Sequence, residues 1–182
     1  DGSEKMKSCG KTMSAAIVRV VDENDRDCPP GQVGEIIVQG NQVMKGYWNL
    51  PEETEKAIRN GWFYSGDAGY FDAEGYLYIH DRVKDMIVSG GENIYPAEVE
   101  SALAGHGAIA DVAVIGVPDD KWGETVKAVV VLAPGAALSE DEIIAYSRSQ
   151  IAGFKIPRSV DFMTDLPRNP SGKILKRELR KP

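Results

Sequence analysis

A chain of 182 residues, 42% hydrophobic and 27% charged, is long enough to bury a core as one large domain or two small ones and has the composition of an ordinary globular protein. Its formal net charge of −7, from 28 acidic against 21 basic side chains, argues against a general nucleic-acid binder, whose surface should be basic. Cys9 and Cys28 are too few and too unpatterned for a disulfide framework or a zinc site, no apolar run approaches a membrane span, and a reducing, cytoplasmic setting is expected.

Residues 1–14 are polar, without a period, and read as loop. The chain begins Asp-Gly-Ser, with neither a methionine nor a signal peptide, and so looks like a piece of something longer. Residues 15–21 and 33–39 are rich in β-branched and aliphatic side chains and flank an acidic turn with Pro29, Pro30 and Gly31, which predicts an antiparallel pair. A short helix follows, with Pro51 in its first turn and acids near its N-terminus. Residues 61–64 are extended, Ser65-Gly66-Asp67 predicts a sharp turn, and residues 70–79, with aromatic side chains on both arms of Asp72-Ala73-Glu74-Gly75, predict a hairpin.

From residue 81 the pattern changes from hairpins to alternating helices and strands. Charged residues (Arg82, Lys84, Asp85) run into an apolar triplet, a Ser-Gly-Gly turn, a polar pair and then a proline that opens a helix over 96–104, stopped by Gly105. Residues 110–117 and 125–133 predict strands. Ser139 with Glu142 forms a capping box for a helix to residue 151, with Ile143, Ile144, Ser147 and Ile151 on one face. A short strand over 159–163 and a basic final helix over 173–180, carrying Lys173, Lys176, Arg177 and Arg180 and followed by Lys181, complete the chain.

Four motifs, GEIIVQGNQVMKGYW (34–48), GWFYSGD (61–67), DRVKDMIVSGGENIYPAEVE (81–100) and PRNPSGKILKREL (167–179), resemble the last third of an acyl-adenylate-forming enzyme, and within that superfamily most resemble an acyl-CoA synthetase of the fatty-acid type. The resemblance implies an α+β fold: the end of a β-rich, distorted-barrel subdomain of the large AMP-binding domain (1–81), a hinge (82–85), and a small C-terminal lid domain of sheet and helices (86–182). It implies activation of a small carboxylic acid by ATP and magnesium to an acyl-adenylate, then transfer of the acyl group to coenzyme A. The family's phosphate-cradling loop and magnesium-linked glutamate segment are absent from these 182 residues, so the chain alone is expected to be inactive in adenylation, and no metal site is expected in it.

Carried over residue by residue, the resemblance gives Lys173 as the catalytic lysine that bridges the attacking carboxylate and the α-phosphate. Asp67 and Arg82 become nucleotide ribose ligands, and Lys84 and Asp85 the hinge. Ser89, Gly90 and Gly91 become the loop that enters the site for thioester formation, beside Trp122, Phe154, Lys155 and Arg158 as coenzyme A contacts. Read from the residues alone, each has a plainer alternative: a turn-forming aspartate, a solvated arginine, a linker lysine, a simple glycine turn, core packing for Trp122 and Phe154, and one more lysine in a basic helix for Lys173. The motif around Lys173 also resembles a site of lysine acetylation, which would remove its charge. His80 and His106, without a Ser or Cys constellation, read as structural. Two rival readings are an adenylating enzyme that passes its acyl group to a carrier-protein thiol, and a non-catalytic lid that binds nucleotide or a partner protein.

Overall fold

Strand β1 (Ala16–Val21) forms where β-branched residues favour extended chain, and it pairs antiparallel with β2 (Gly34–Gly40), from Ala16 opposite Gly40 to Val21 opposite Glu35. The protein is described here by a computed structural model covering residues 5–180, which divides into two compact units, Asp1–Lys84 and Asp85–Pro182. Lys181 and the first four residues of the expected N-terminal loop lie outside the described residues.

In the first unit, α1 (Pro51–Ala57) starts with proline at the position whose missing N–H costs nothing, and carries Glu52 and Glu53 in its first turn. Strands β3 (Ile58–Arg59), β4 (Trp62–Phe71) and β5 (Leu77–Arg82) complete an antiparallel sheet in which β2 and β5 flank β4. The β4–β5 hairpin closes on Asp72, whose Oδ1 accepts from the N–H groups of Glu74 and Tyr76, both at 2.9 Å. These backbone bonds, that of Tyr76 foremost, hold the Asp72 carboxyl below its usual pKa. Tyr70 and Tyr78 stack across the hairpin at 5.0 Å.

The sharp turn expected at Ser65-Gly66-Asp67 is not there. These residues lie within β4, and the register against β2 shifts between Glu35 and Ile37, so that a single residue, Ile36, faces three. The outcome is a bulge, with Gly66 at φ 71° supplying the left-handed conformation that it requires.

In the second unit, β6 (Ile87–Ser89) and β7 (Glu92–Ile94) form a tight hairpin, with Gly90 and Gly91 at φ 60° and 87° in its turn. Two positive φ values in a two-residue loop match the right-handed twist of the strands, so glycine is needed at both. Helix α2 (Pro96–Ala104) follows, and then the long antiparallel pair β8 (Ile109–Asp119) and β9 (Gly123–Leu132). Helix α3 (Glu140–Gln150) has the expected capping box: Ser139 Oγ accepts from the Glu142 N–H, and the Glu142 carboxylate accepts from the Ser139 N–H. Those bonds to Ser139 hold the Glu142 carboxyl below its usual pKa. Strand β10 (Ser159–Phe162) pairs parallel with β9, and α4 (Lys176–Leu179) is a single turn.

Alternation along β8 and β9 sends their side chains to two faces. Val112, Val114, Ala128 and Val130 pack under α2 and α3 with Ile87, Ile94, Val99, Leu103 and Ile143, while Ala113 and Val129 pack on the opposite face under Leu166, Ile174 and Leu179. Leu103 is fully buried, so Leu103→Ala should cost roughly 2–5 kcal/mol of stability, read as a lower denaturation midpoint with an unchanged slope.

Of two helix ends, one falls where expected and one does not. Gly105 ends α2 at φ −69°, in right-handed rather than left-handed conformation; a side chain there would stand 3.2 Å from the Tyr146 hydroxyl, so close packing accounts for glycine. The final helix starts at Lys176 rather than 173, because Arg168 and Ile174 bridge in a small hairpin that takes up the residues before it.

Candidate functional site

Three groups of candidate residues are resolved, one in the first unit and two in the second. In the first, the β4–β5 register sets Asp67 directly opposite Arg82, and their side chains meet, Arg82 Nη1 lying 3.0 Å from Asp67 Oδ1. Both remain partly exposed, and the carboxylate has lone pairs left for hydroxyl donors. The bulge fixes Asp67: Ser65 Oγ donates to the Ile36 carbonyl at 2.7 Å and accepts from the Asp67 N–H at 3.0 Å, and Glu35 Oε1 accepts from the Gly66 N–H at 3.1 Å. Ser65, Gly66, Glu35, Tyr64 and Tyr47 border an open cavity of about 450 Å³. Glu35 escaped the sequence reading, since it acts from 31 residues away with no local motif.

The two expected hinge residues differ in their surroundings. Both lie in a 3₁₀ turn, Val83–Asp85, at the boundary of the units. Lys84 is exposed, whereas the Asp85 carboxylate, largely buried, pairs with Arg180 at 3.3 Å at the end of α4.

The second group gathers at the β6–β7 turn. A Cβ on Gly90 would sit 2.6 Å from Trp122 Cε3, so the indole packs closely against the glycine, and the Gly90 N–H donates to the Trp122 carbonyl at 2.9 Å. The Trp122 N–H is held by Asp119 at 2.9 Å, and the guanidinium of Arg158 lies 5.1 Å from the indole centre. Trp122 is partly buried against Gly90, so it is neither fully exposed nor a core residue. Phe154 and Lys155 form a separate pair. Phe154 is 49% exposed, but the Lys155 ammonium is committed to both carboxylate oxygens of Glu98, at 2.6 and 2.7 Å, which leaves Arg158 as the more available cation.

The third group is the loop of Lys173. Asn169 organises it: its Oδ1 accepts from the Ser171 N–H at 3.1 Å, the Ser171 hydroxyl at 2.8 Å and the Lys173 N–H at 2.9 Å. Backbone bonds from Asn169 N to the Lys173 carbonyl and from Gly172 N to the Asn169 carbonyl, both 2.9 Å, close the turn, with Gly172 at φ 84°. The neighbouring cations are engaged: Arg168 with Asp111, Lys176 with Glu100, Arg177 with Glu178 and Arg180 with Asp85. Lys173 is exposed and its ammonium has no hydrogen bond or ion pair among the described residues, so it is set apart from the basic helix with which its sequence groups it. Asn169 also escaped the sequence reading, although the Asn-Pro dipeptide is a turn signal that points to it.

His106 is structural: its Nδ1 accepts from the Ala108 N–H at 3.2 Å and its ring meets Tyr146 edge-on at 4.8 Å. Among the described residues no grouping of His, Cys, Asp and Glu could hold a metal ion, and no helix is long and apolar enough to cross a membrane.

Comparison with known proteins gives these groups a context. The AMP-binding enzyme family matches residues 1–48, and the AMP-binding enzyme C-terminal domain family matches residues 98–173. The chain is 51% identical over 179 residues to a feruloyl-CoA synthase of an Amycolatopsis species, covering 98% of this chain and 36% of that protein. It is 45% identical over 179 residues to a fatty acid–[acyl-carrier-protein] ligase of Streptomyces coeruleorubidus, covering 98% of this chain and 34% of that protein. Among solved structures, o-succinylbenzoate-CoA synthetase of Bacillus subtilis, bound to its acyl-adenylate intermediate, superposes with a TM-score of 0.90 at 41% identity, over 100% of this chain and 37% of that one. The chain thus spans about a third of the length of the relatives it matches. It belongs to the acyl-adenylate-forming superfamily of AMP-binding enzymes and corresponds to their C-terminal part.

Proposed function

We propose that this chain is the C-terminal portion of an ATP-dependent acyl-CoA synthetase, with residues 1–81 closing its AMP-binding domain, 82–85 acting as hinge and 86–182 forming the lid. In the first half-reaction a carboxylate oxygen attacks the α-phosphorus of ATP and the bond to pyrophosphate breaks. In the second, the coenzyme A sulfur attacks the acyl carbon, its proton passes to solvent and AMP leaves. The observation that carries this reading is the Lys173 ammonium, unpaired among the described residues at the end of a hydrogen-bonded turn, while Arg168, Lys176 and Arg180 are paired.

Two anionic reactants repel each other, and a fixed cation between them holds them in line and stabilises charge in the transition state. Asp67 would hold the ribose hydroxyls, with Arg82 beside it. Asp85 is tied to the lid by Arg180, so the φ/ψ change of the hinge would fall at Lys84. Gly90, Trp122 and Arg158 would border the thiol's approach, with Ser89 and Gly91 shaping the turn and Arg158 available to a phosphate. Among the described residues no grouping of His, Cys, Asp and Glu could hold the magnesium ion. The exposed Lys173 is also open to acetylation, which would abolish its charge. A reducing, cytoplasmic setting belongs to the same reading, with Cys9 and Cys28 as free thiols.

The relative that loads a carrier protein favours a second acceptor, a carrier-protein thiol, with the same first half-reaction. Pyrophosphate release from ATP with a panel of carboxylates, measured on the 182-residue chain and on an enzyme of the relatives' full length, tests the reading. Release is expected from the longer protein only, followed by a thioester with free coenzyme A. No release from the longer protein would overturn adenylation; release without a coenzyme A thioester would favour the carrier protein.

A further inference from the structure

We propose that Arg168 and Asn169, braced by Asp111, are the positioning residues that hold Lys173 in place, an inference that rests on the adenylation reading of Lys173. Arg168 uses its fork in two directions. Nη1 donates to the Gly172 carbonyl at 2.6 Å, the peptide immediately before Lys173, while Nη2 pairs with Asp111 on β8. A second tie runs alongside: Lys176 pairs at 2.8 Å with Glu100 of α2, whose Oε1 accepts from the Val114 N–H of β8 at 2.8 Å. The lysine turn is thus held at Arg168 and at Lys176 to one strand, and beneath it Leu166 and Ile174 pack on Ala113 and Val129.

Within this frame Asn169 closes the turn on Lys173 itself, through the Lys173 N–H and carbonyl. Backbone anchoring matters because a lysine has four rotatable bonds. A wandering Cα would spread the ammonium over a volume much larger than the gap between two reacting anions, and a displacement of about 1 Å can cost 10²-fold in rate. A lysine could replace Arg168 as a partner for Asp111, but its single nitrogen lacks the planar fork whose two terminal nitrogens reach Asp111 and the Gly172 carbonyl separately.

Two measurements test the proposal. In the 182-residue chain, Asn169→Ala should raise hydrogen exchange at the Lys173 amide by roughly 5-fold or more, the effect of losing one hydrogen bond. In an enzyme of the relatives' full length, Asn169→Ala and Arg168→Lys should each lower the adenylation kcat by about 10- to 100-fold, with little change in KM for ATP and none in thioester formation from supplied acyl-adenylate. Arg168→Lys is the informative variant, since a merely structural ion pair would survive it. Full adenylation by Arg168→Lys and Asn169→Ala, where Lys173→Ala is inactive, would overturn the proposal, as would unaltered exchange at Lys173. If Lys173→Ala itself adenylates normally while exchange at residue 173 still responds to Asn169→Ala, it is the functional reading that fails.

Discussion

Replacing Lys173 by alanine in an enzyme of the relatives' full length is expected to slow adenylation by about 10²- to 10³-fold while sparing thioester formation from supplied acyl-adenylate. The magnitude follows from electrostatics: a unit charge pair about 4 Å apart is worth roughly 4 kcal/mol at an effective dielectric of 20. The selectivity follows from the chemistry, because in the first half-reaction the attacking carboxylate and the attacked phosphate are both anionic, whereas in the second a thiol attacks an uncharged acyl carbon. Stability should barely change, since the side chain is exposed and makes no hydrogen bond or ion pair among the described residues. Pyrophosphate release and coenzyme A thioester formation, followed separately, check the two parts.

Gly90→Ala should do the reverse. Its Cβ would stand 2.6 Å from Trp122 Cε3 and 3.0 Å from Cζ3, so either the indole or the β6–β7 turn must move. The residue is at φ 60°, where a side chain costs about 1–2 kcal/mol, so the turn is strained as well as crowded. The shift would fall on the group assigned to the thioester step, and a displacement of about 1 Å there should cost on the order of 10²-fold in thioester formation. Adenylation should persist, because the Lys173 turn is built from its own hydrogen bonds and packs on the far face of β8 and β9. Near-native circular dichroism would separate this effect from unfolding.

The parts of the fold legible in the sequence are those whose signals are local. Proline at 51 and 96 marks two helix starts, Ser139 with Glu142 marks a third, and Asp72 with Gly75 closes a hairpin whose strands fall where the aromatic residues place them. The failures have long-range causes. The bulge at residues 65–67 depends on Glu35 and Ile36, brought alongside by sheet pairing, and a glycine between two polar residues reads locally as a turn. The burial of Trp122 depends on a glycine 32 positions earlier, and the commitment of Lys155 on Glu98, 57 positions away. Lys173 to Arg180 has helical composition, yet the helix begins only at Lys176, because hydrogen bonds involving Pro167, Arg168 and Asn169 turn the chain before it.

The candidate site shows the same division. The motifs name Asp67, Arg82, Gly90 and Lys173, but motif and spacing cannot say which cations are already paired. Lys173 and Lys176 differ in sequence by three positions and in structure by an ion pair with Glu100. Among the described residues that pairing leaves the Lys173 ammonium available on a braced turn, and it gives Arg168 and Asn169 a role that no spacing rule suggests.

The central claim is that the second unit serves two half-reactions with two different parts of itself. It is tested most directly by measuring both half-reactions in both variants, Lys173→Ala and Gly90→Ala, in an enzyme of the relatives' full length. The account predicts a crossed result: Lys173→Ala loses adenylation and keeps thioester formation, and Gly90→Ala keeps adenylation and loses thioester formation. Equal loss of both half-reactions in both variants would contradict it.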